Sequence, residues 1–496
     1  MKLLQMIRSA PVLAALGALA ACGSVGPDYR VPDEAAIRRP AAAAPFIGAA
    51  EKSFKSEPLP PQWWRLYQDT ALDHLIQQAF AANTDLRVAA ANLSRARAMQ
   101  QEAEAETNPL VGATAAPGFG RPSAVAMGLA QPLPDAGSYD AGVSISYQAD
   151  LFGKIARAIE SAGADTEAAQ AGYDLVRVTV AADTARAYAD ACAAVRQIEV
   201  AQQSVDLQQK SMQLTERRIH AGRGTAIDDA RVRSELEQRH AALPPLQAQQ
   251  RTAQYRLAAL TGRLPAEMAR DQLQCHAAPR LSAQIPVGDG AQLLRRRPDV
   301  RQAERGLASA SARIGVATAD LYPSISLGLS AGSTGALDRF GAGNAFRWSL
   351  GPLISWTLPS TGSAHSRIAQ AEAGNAGALA HFDGVVLNAL REVESAMTVY
   401  AREMDRNASL KAARDQSALA SGQSHTLYGY GKIDFLSMLD ADRTLAATDA
   451  AWAASDAQVA SDQIALFLAL GGGWEPQACD SCVAVASPAA DKVGTR

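Results

Sequence analysis

Residues 138–151 read Ser-Tyr-Asp-Ala-Gly-Val-Ser-Ile-Ser-Tyr-Gln-Ala-Asp-Leu, and no proline interrupts the long stretch that follows at 154–221. Ala141, Val143, Ile145, Tyr147, Ala149 and Leu151 alternate with Gly142, Ser144, Ser146, Gln148 and Asp150. Period two predicts a strand with one apolar and one polar face. The 68 residues of 154–221 then read as helix. At 1.5 Å per residue such a helix spans about 100 Å, thicker than any ordinary globular domain.

The same arrangement recurs. Residues 85–109 align without a gap onto 299–323, sharing Asp85/Asp299, Arg87/Arg301, Leu93/Leu307 and Pro109/Pro323 among nine identities in 25 positions. Ala221-Gly222-Arg223 and Tyr430-Gly431-Lys432 occupy the same place between two helical stretches, so a whole supersecondary unit is duplicated. The second copy supplies cleaner strands: Ile325, Leu327, Leu329 and Ala331 alternate with serine and glycine, and Phe346, Trp348, Leu350, Ile354, Trp356 and Leu358 follow. Residues 110–119 complete a set of four, with weaker alternation. Residues 72–106 read as one helix before the first strand pair. The run 363–428 matches 154–221, and each long run turns at a glycine-bearing tip into a return helix, 226–260 and 435–470. Pro244-Pro245 divides the first return helix into two segments, because each proline lacks an amide donor.

The chain opens with Lys2 and Arg8, an apolar run at 10–21, and Leu19-Ala20-Ala21-Cys22-Gly23. The apolar run is about half of the roughly 20 residues a membrane helix needs, so it reads as an export signal. Removing 1–21 takes away two cations and moves the formal net charge from −3 to −5. No basic patch argues for nucleic acid. The expected organisation is a signal at 1–21, an extended Pro- and Ala-rich tether at 22–70 docked through Trp63 and Trp64, a first repeat at 71–284, a second at 285–475 and a tail at 476–496. With Cys22 set aside, Cys192, Cys275, Cys479 and Cys482 remain for an oxidising compartment. A disulfide from Cys275 to Cys479 or Cys482, or an inert tail, is favoured over a metal site, since His276 is the only further ligand nearby.

Four strands fit a bilayer barrel in composition but not in number. Closed membrane barrels start at about eight strands, so the chain must pool strands with copies of itself: two would give eight, three would give twelve. Helices near 100 Å long with an apolar stripe must likewise pack side by side. A lipid-anchored coiled-coil rod is the alternative, but it has no use for alternating strands. Seven histidines are scattered, no nucleophile stands in a triad context and no phosphate loop is present, so the chain reads as a non-enzyme without cofactors.

Four segments carry a family resemblance: 22–29 (Cys-Gly-Ser-Val-Gly-Pro-Asp-Tyr), 296–304 (Arg-Arg-Pro-Asp-Val-Arg-Gln-Ala-Glu), 322–327 (Tyr-Pro-Ser-Ile-Ser-Leu) and 439–445 (Leu-Asp-Ala-Asp-Arg-Thr-Leu). Together they resemble the outer-membrane efflux factors, TolC-like ducts, in their lipoprotein (NodT/OprM) branch. The resemblance covers about residues 20–475. It implies a mainly α fold with a β-barrel part: a homotrimer with a 12-stranded barrel in the outer membrane and a helical barrel across the periplasm. It also implies a periplasmic adaptor and an inner-membrane pump as partners, and Leu19–Cys22 resembles a lipobox with Cys22 as the acylated residue. Gly23, not aspartate, follows it, which by resemblance directs the protein to the outer membrane. A type I protein secretion duct is the rival within the fold, and the cargo, whether drugs or other molecules, is open.

Leu436, Asp440 and Arg443 follow at spacings of four and three, on one helix face. By resemblance to the family's closed entrance this face meets the pore axis, Leu436 forming an apolar ring and Asp440 a carboxylate ring. Arg443 of the same or a neighbouring chain would partner Asp440; a solvated surface pair is the alternative. The first copy has Ile227, Arg231 and Ser234 in the matching places. Gly222 and Arg223, and Gly431, Lys432 and Ile433, are the tip turns, and resemblance makes them adaptor docking points; ordinary exposed turns are the alternative.

Overall fold

The structure, a computed structural model, describes residues 23–121, 123–125, 128, 130–268, 275–281, 283–356 and 361–473. In chain order the elements are α1 (Thr70–Ala82), α2 (Thr84–Ala105), β1 (Leu110–Gly120), β2 (Ala136–Ala149), α3 (Lys154–His220), α4 (Ala226–Ala241), α5 (Leu243–Leu260), α6 (Gly290–Arg296), α7 (Pro298–Ala319), β3 (Ser324–Ala336), β4 (Phe346–Ser355), α8 (Thr361–Gly429) and α9 (Phe435–Ala469), with short 3-10 and α turns between. The described residues gather into two compact units, one from 23–39, 88–173 and 298–388, the other from 40–87, 174–297 and 389–473.

The first unit holds the sheet, β1-β2-β3-β4, with every neighbouring pair antiparallel. Register fixes its faces. Val111 opposes Ile145, Ile145 opposes Leu329 and Leu329 opposes Leu350, while Val143, Ala331 and Trp348 line up in the next row. Directly paired residues share a face, so one face is apolar across all four strands. That face is bare: Leu350 is 61% and Trp348 67% exposed. The opposite face is polar, with Ser330 Oγ 2.8 Å from Ser349 Oγ and Arg347 donating to Asp140 at 2.6 Å. Among the described residues β1 and β4 each pair with one neighbour and leave their outer edges open.

The segment after residue 22 is strapped to the same unit. Buried Arg157 donates to the carbonyls of Val25 (3.1 Å) and Gly26 (3.3 Å) and to Asp28 (2.7 Å). Gly26 has φ +92° and a side chain there would stand 2.4 Å from the Gly315 Cα, so only glycine permits this approach.

The second unit contains the main apolar core. Trp63 and Trp64 are fully buried, and Trp63 stacks on Phe467 with ring centroids 4.7 Å apart. Along α3, Ala181, Ala185, Ala189 and Cys192 recur at four, four and three residues and are buried, which lets neighbouring helices approach closely. Two sequence expectations are corrected here. The stretch 72–106 is two helices, because Asn83 is extended and its Oδ1 accepts from the amides of Asp85 (2.8 Å) and Leu86 (3.2 Å), starting a new helix. Cys275 is bonded to Cys192, with Cα atoms 5.5 Å apart, not to Cys479 or Cys482. The helix places Cys192 on its buried face within reach of Cys275. Cys22, Cys479 and Cys482 lie outside the described residues. Pro244 and Pro245 sit in the first turn of α5, where their missing amides cost nothing. No helix among the described residues is long and apolar enough to cross a membrane.

Candidate functional site at the helical tips

Both tips close by the same local chemistry. Gly222 (φ +71°) and Gly431 (φ +70°) take the left-handed conformation that ends a helix. The following amides reach back, Arg223 to the Arg218 carbonyl at 2.8 Å and Lys432 to the Leu427 carbonyl at 2.9 Å. Each return helix then starts on a cap. Thr225 and Asp228 form a reciprocal capping box on α4, and Asp434 accepts from the Ser437 amide at 2.7 Å on α9. Hydrogen bonding from Ser437 holds the Asp434 carboxyl below its usual range. Gly222, Arg223, Gly431 and Lys432 are exposed and Ile433 is half-buried. The two tips border one cavity of about 310 Å³, lined by Arg218, Arg223 and Gly224 from one side and by Tyr428, Asp434 and Leu436 from the other.

Behind the tips, three contacts tie the second hairpin to the first. The Arg218 guanidinium lies 4.2 Å from the Tyr428 ring centroid, a cation–π contact between the ends of α3 and α8. Arg443 of α9 donates through Nε to Glu235 of α4 at 2.7 Å. Glu235 is buried and also accepts from Arg239 at 2.5 Å. The third contact centres on Asp442, only 3% exposed. Its carboxylate accepts from Ser211 of α3 (3.3 Å), from Ser421 of α8 (2.7 Å) and from His425 Nε2 of α8, which is 2.9 Å from both oxygens.

The predicted gate residues separate in this geometry. Leu436 and Asp440 are exposed, with Leu436 51% so, and neither is consumed by a contact inside the chain that holds the tips together. Arg443 does not partner Asp440 within the chain; its nearest carboxylate is Glu235, because Nε turns toward the first hairpin. Sequence reasoning missed Glu235, His425 and Asp442. The available signal was Asp442 itself. It falls four residues after Met438 and three after Leu439, both fully buried, so a carboxylate sits in an apolar stripe and must be partnered. Among the described residues no cluster of histidine, cysteine and carboxylate is arranged to hold a metal.

Comparison with known proteins places this geometry. The family model described as "Outer membrane efflux protein" matches residues 75–263 and 290–472. Nodulation protein T of Rhizobium leguminosarum bv. trifolii is 28% identical over 84% of this chain and 88% of its own. The toluene efflux pump outer membrane protein TtgC of Pseudomonas putida is 29% identical over 92% and 93%. The solved outer-membrane channel OprN superposes with a TM-score of 0.85 at 35% identity, covering 91% of this chain and all of that one. A duplicated unit of two strands and a long helical hairpin is thus shared along nearly the whole length, and the chain belongs to the outer membrane efflux protein family, as a TolC-like channel and not an enzyme.

Proposed function

We propose that three copies of the chain join their sheets edge to edge into a 12-stranded barrel, and that the duct so formed is shut at the hairpin tips and opened by a periplasmic adaptor carrying substrate from an inner-membrane pump. The observation that carries the assembly is the sheet of the described residues: four strands, two open edges and a face that is apolar on every strand. Four strands cannot close, and an open apolar face in water is unstable unless lipid covers it. Cys22 is the proposed acylation site, and the strap of Val25 to Asp28 on Arg157 would set the lipid close to the strand–helix junction at Phe152, whose carbonyl accepts from the Val25 amide at 3.1 Å.

At the tips, Leu436 and Asp440 are the gate residues, free to meet their copies on the other chains, and Gly222, Arg223, Gly431, Lys432 and Ile433 are the docking surface for the adaptor. Like carboxylates converging on one axis repel, so the closed state rests on the contacts that hold the hairpins together behind them. Replacing Asp440 and Arg443 together by alanine is expected to raise the single-channel conductance of the purified protein in a planar bilayer. Unchanged conductance would count against the gate assignment.

A further inference from the structure

Asp442 is set among helices in a way the gate itself does not require. A carboxylate buried to this degree demands full hydrogen bonding, and it receives it from two helices: Ser211 of α3, and Ser421 and His425, four residues apart on α8. Both donors on α8 and the acceptor on α9 belong to the second hairpin, while Ser211 belongs to the first. Of the other charged groups of these helices at the tips, Arg218 lies on the Tyr428 ring, Glu216 pairs with Arg233 and Arg443 with Glu235, while Asp440 is exposed on the far side of α9. Among the described residues Asp442 is the charged group that acts on the His425 ring.

We propose that His425 and Asp442 form a proton-operated latch, which while the imidazole is charged keeps α9 seated on α8 and Asp442 in its contact with Ser211 of the first hairpin, and which frees α9 when the imidazole is neutral. The inference rests on the reading of the tips as a gate. With the ring protonated, an imidazolium faces both carboxylate oxygens at 2.9 Å and offsets the buried charge. When the ring gives its second proton to solvent, the remaining N–H still donates, but the carboxylate keeps an unbalanced charge in a site shielded from water. Parting the helices then hydrates Asp442, so the separated arrangement gains relative to the closed one.

The direction of the pH response follows. The hydrogen bond that His425 donates to Asp442 is the largest influence on the imidazole and raises its pKa above the ordinary 6.5, against the lowering by burial. A raised histidine pKa means that the latch is fully engaged in acid and is lost as pH climbs through the folded value, above 6.5. External buffer then acts as the signal wherever the tips are bathed by it.

The test is single-channel conductance of the full-length protein in potassium chloride, measured from about pH 6 to about pH 9, across the histidine range. Wild type is expected to rise by about threefold or more with pH, and both His425→Gln and Asp442→Asn are expected to flatten that rise while keeping hydrogen-bonding side chains of similar size. Two separate variants guard against one failing to assemble. A wild type with no pH response, or a His425→Gln channel that keeps the full response, overturns the latch. The gate reading fails separately: a wild type fully open at every pH sinks both, whereas one shut at every pH beside a leaking Asp440→Ala, Arg443→Ala channel sinks the latch alone.

Discussion

At the residue scale, two carboxylates of α9 show how one helix turn carries opposite roles. Asp440 and Asp442 are two positions apart, which on a helix is about 200° of rotation, so one faces outward and the other inward. Asp440 is exposed and Asp442 almost wholly covered. Glu235 is the second inward carboxylate, and it is served by two guanidiniums, Arg239 at 2.5 Å and Arg443 at 2.7 Å. Since Arg443 is 46% exposed, water screens its share of the attraction. A double-mutant cycle on thermal unfolding with Glu235→Gln and Arg443→Gln is therefore expected to return a coupling of about 1 kcal/mol. Coupling indistinguishable from zero would mean that this contact does not tie the hairpins. Arg239 remains to partner Glu235 when Arg443 is removed, so the single Arg443→Gln change should destabilise less than Glu235→Gln, which leaves two cations without their acceptor.

At the scale of elements, the disulfide encloses α4 and α5 in one loop, because Cys192 lies within α3 and Cys275 beyond α5, 83 residues apart. Closing a loop of that length in the unfolded chain is expected to contribute about 2–5 kcal/mol, so Cys192→Ser should lower the melting temperature clearly. Non-reducing digestion supplies the direct check: a peptide joining Cys275 to Cys479 or Cys482 would overturn the pairing. The elements themselves were readable wherever one period persisted. Alternation at 141–151 and 324–331 marks β2 and β3, the proline-free run marks α3, and Pro244-Pro245 marks the start of α5. Asn83 escaped because the apolar spacing of α1 and α2 runs on across it, although Asn-Thr-Asp at 83–85 is itself a helix-start signature. The cysteine partner escaped for a different reason. Which face of a 67-residue helix meets which later segment is decided by packing, and spacing along the chain carries no trace of it. The hairpin clamps are of this kind too, since Glu235 and Arg443 stand 208 residues apart.

At the scale of the whole molecule, membrane attachment has two proposed sources. Acylation at Cys22 would add about 0.8 kcal/mol per buried methylene, enough for reversible binding from one chain and stable anchoring from two or three. The apolar face of the sheet offers Val143, Ile145, Leu327, Leu329, Trp348 and Leu350, all between 37% and 67% exposed in one chain. Full burial of a large apolar side chain contributes about 1.5–3 kcal/mol, and at roughly half exposure each of these six contributes about half of that, a hold comparable with that of one acyl group. The barrel then supplies a hold on the membrane of its own, beside that of the lipid. It dominates assembly, because the open edges of β1 and β4 need partners whether or not a lipid is present. Cys22→Ser is accordingly expected to abolish incorporation of labelled fatty acid while the protein still sediments with outer membranes and still shows the mass of three chains after detergent extraction. A soluble monomer from that variant would reverse the order of causes: the lipid would be bringing the sheets together, and the strand edges would be too weak to do so themselves.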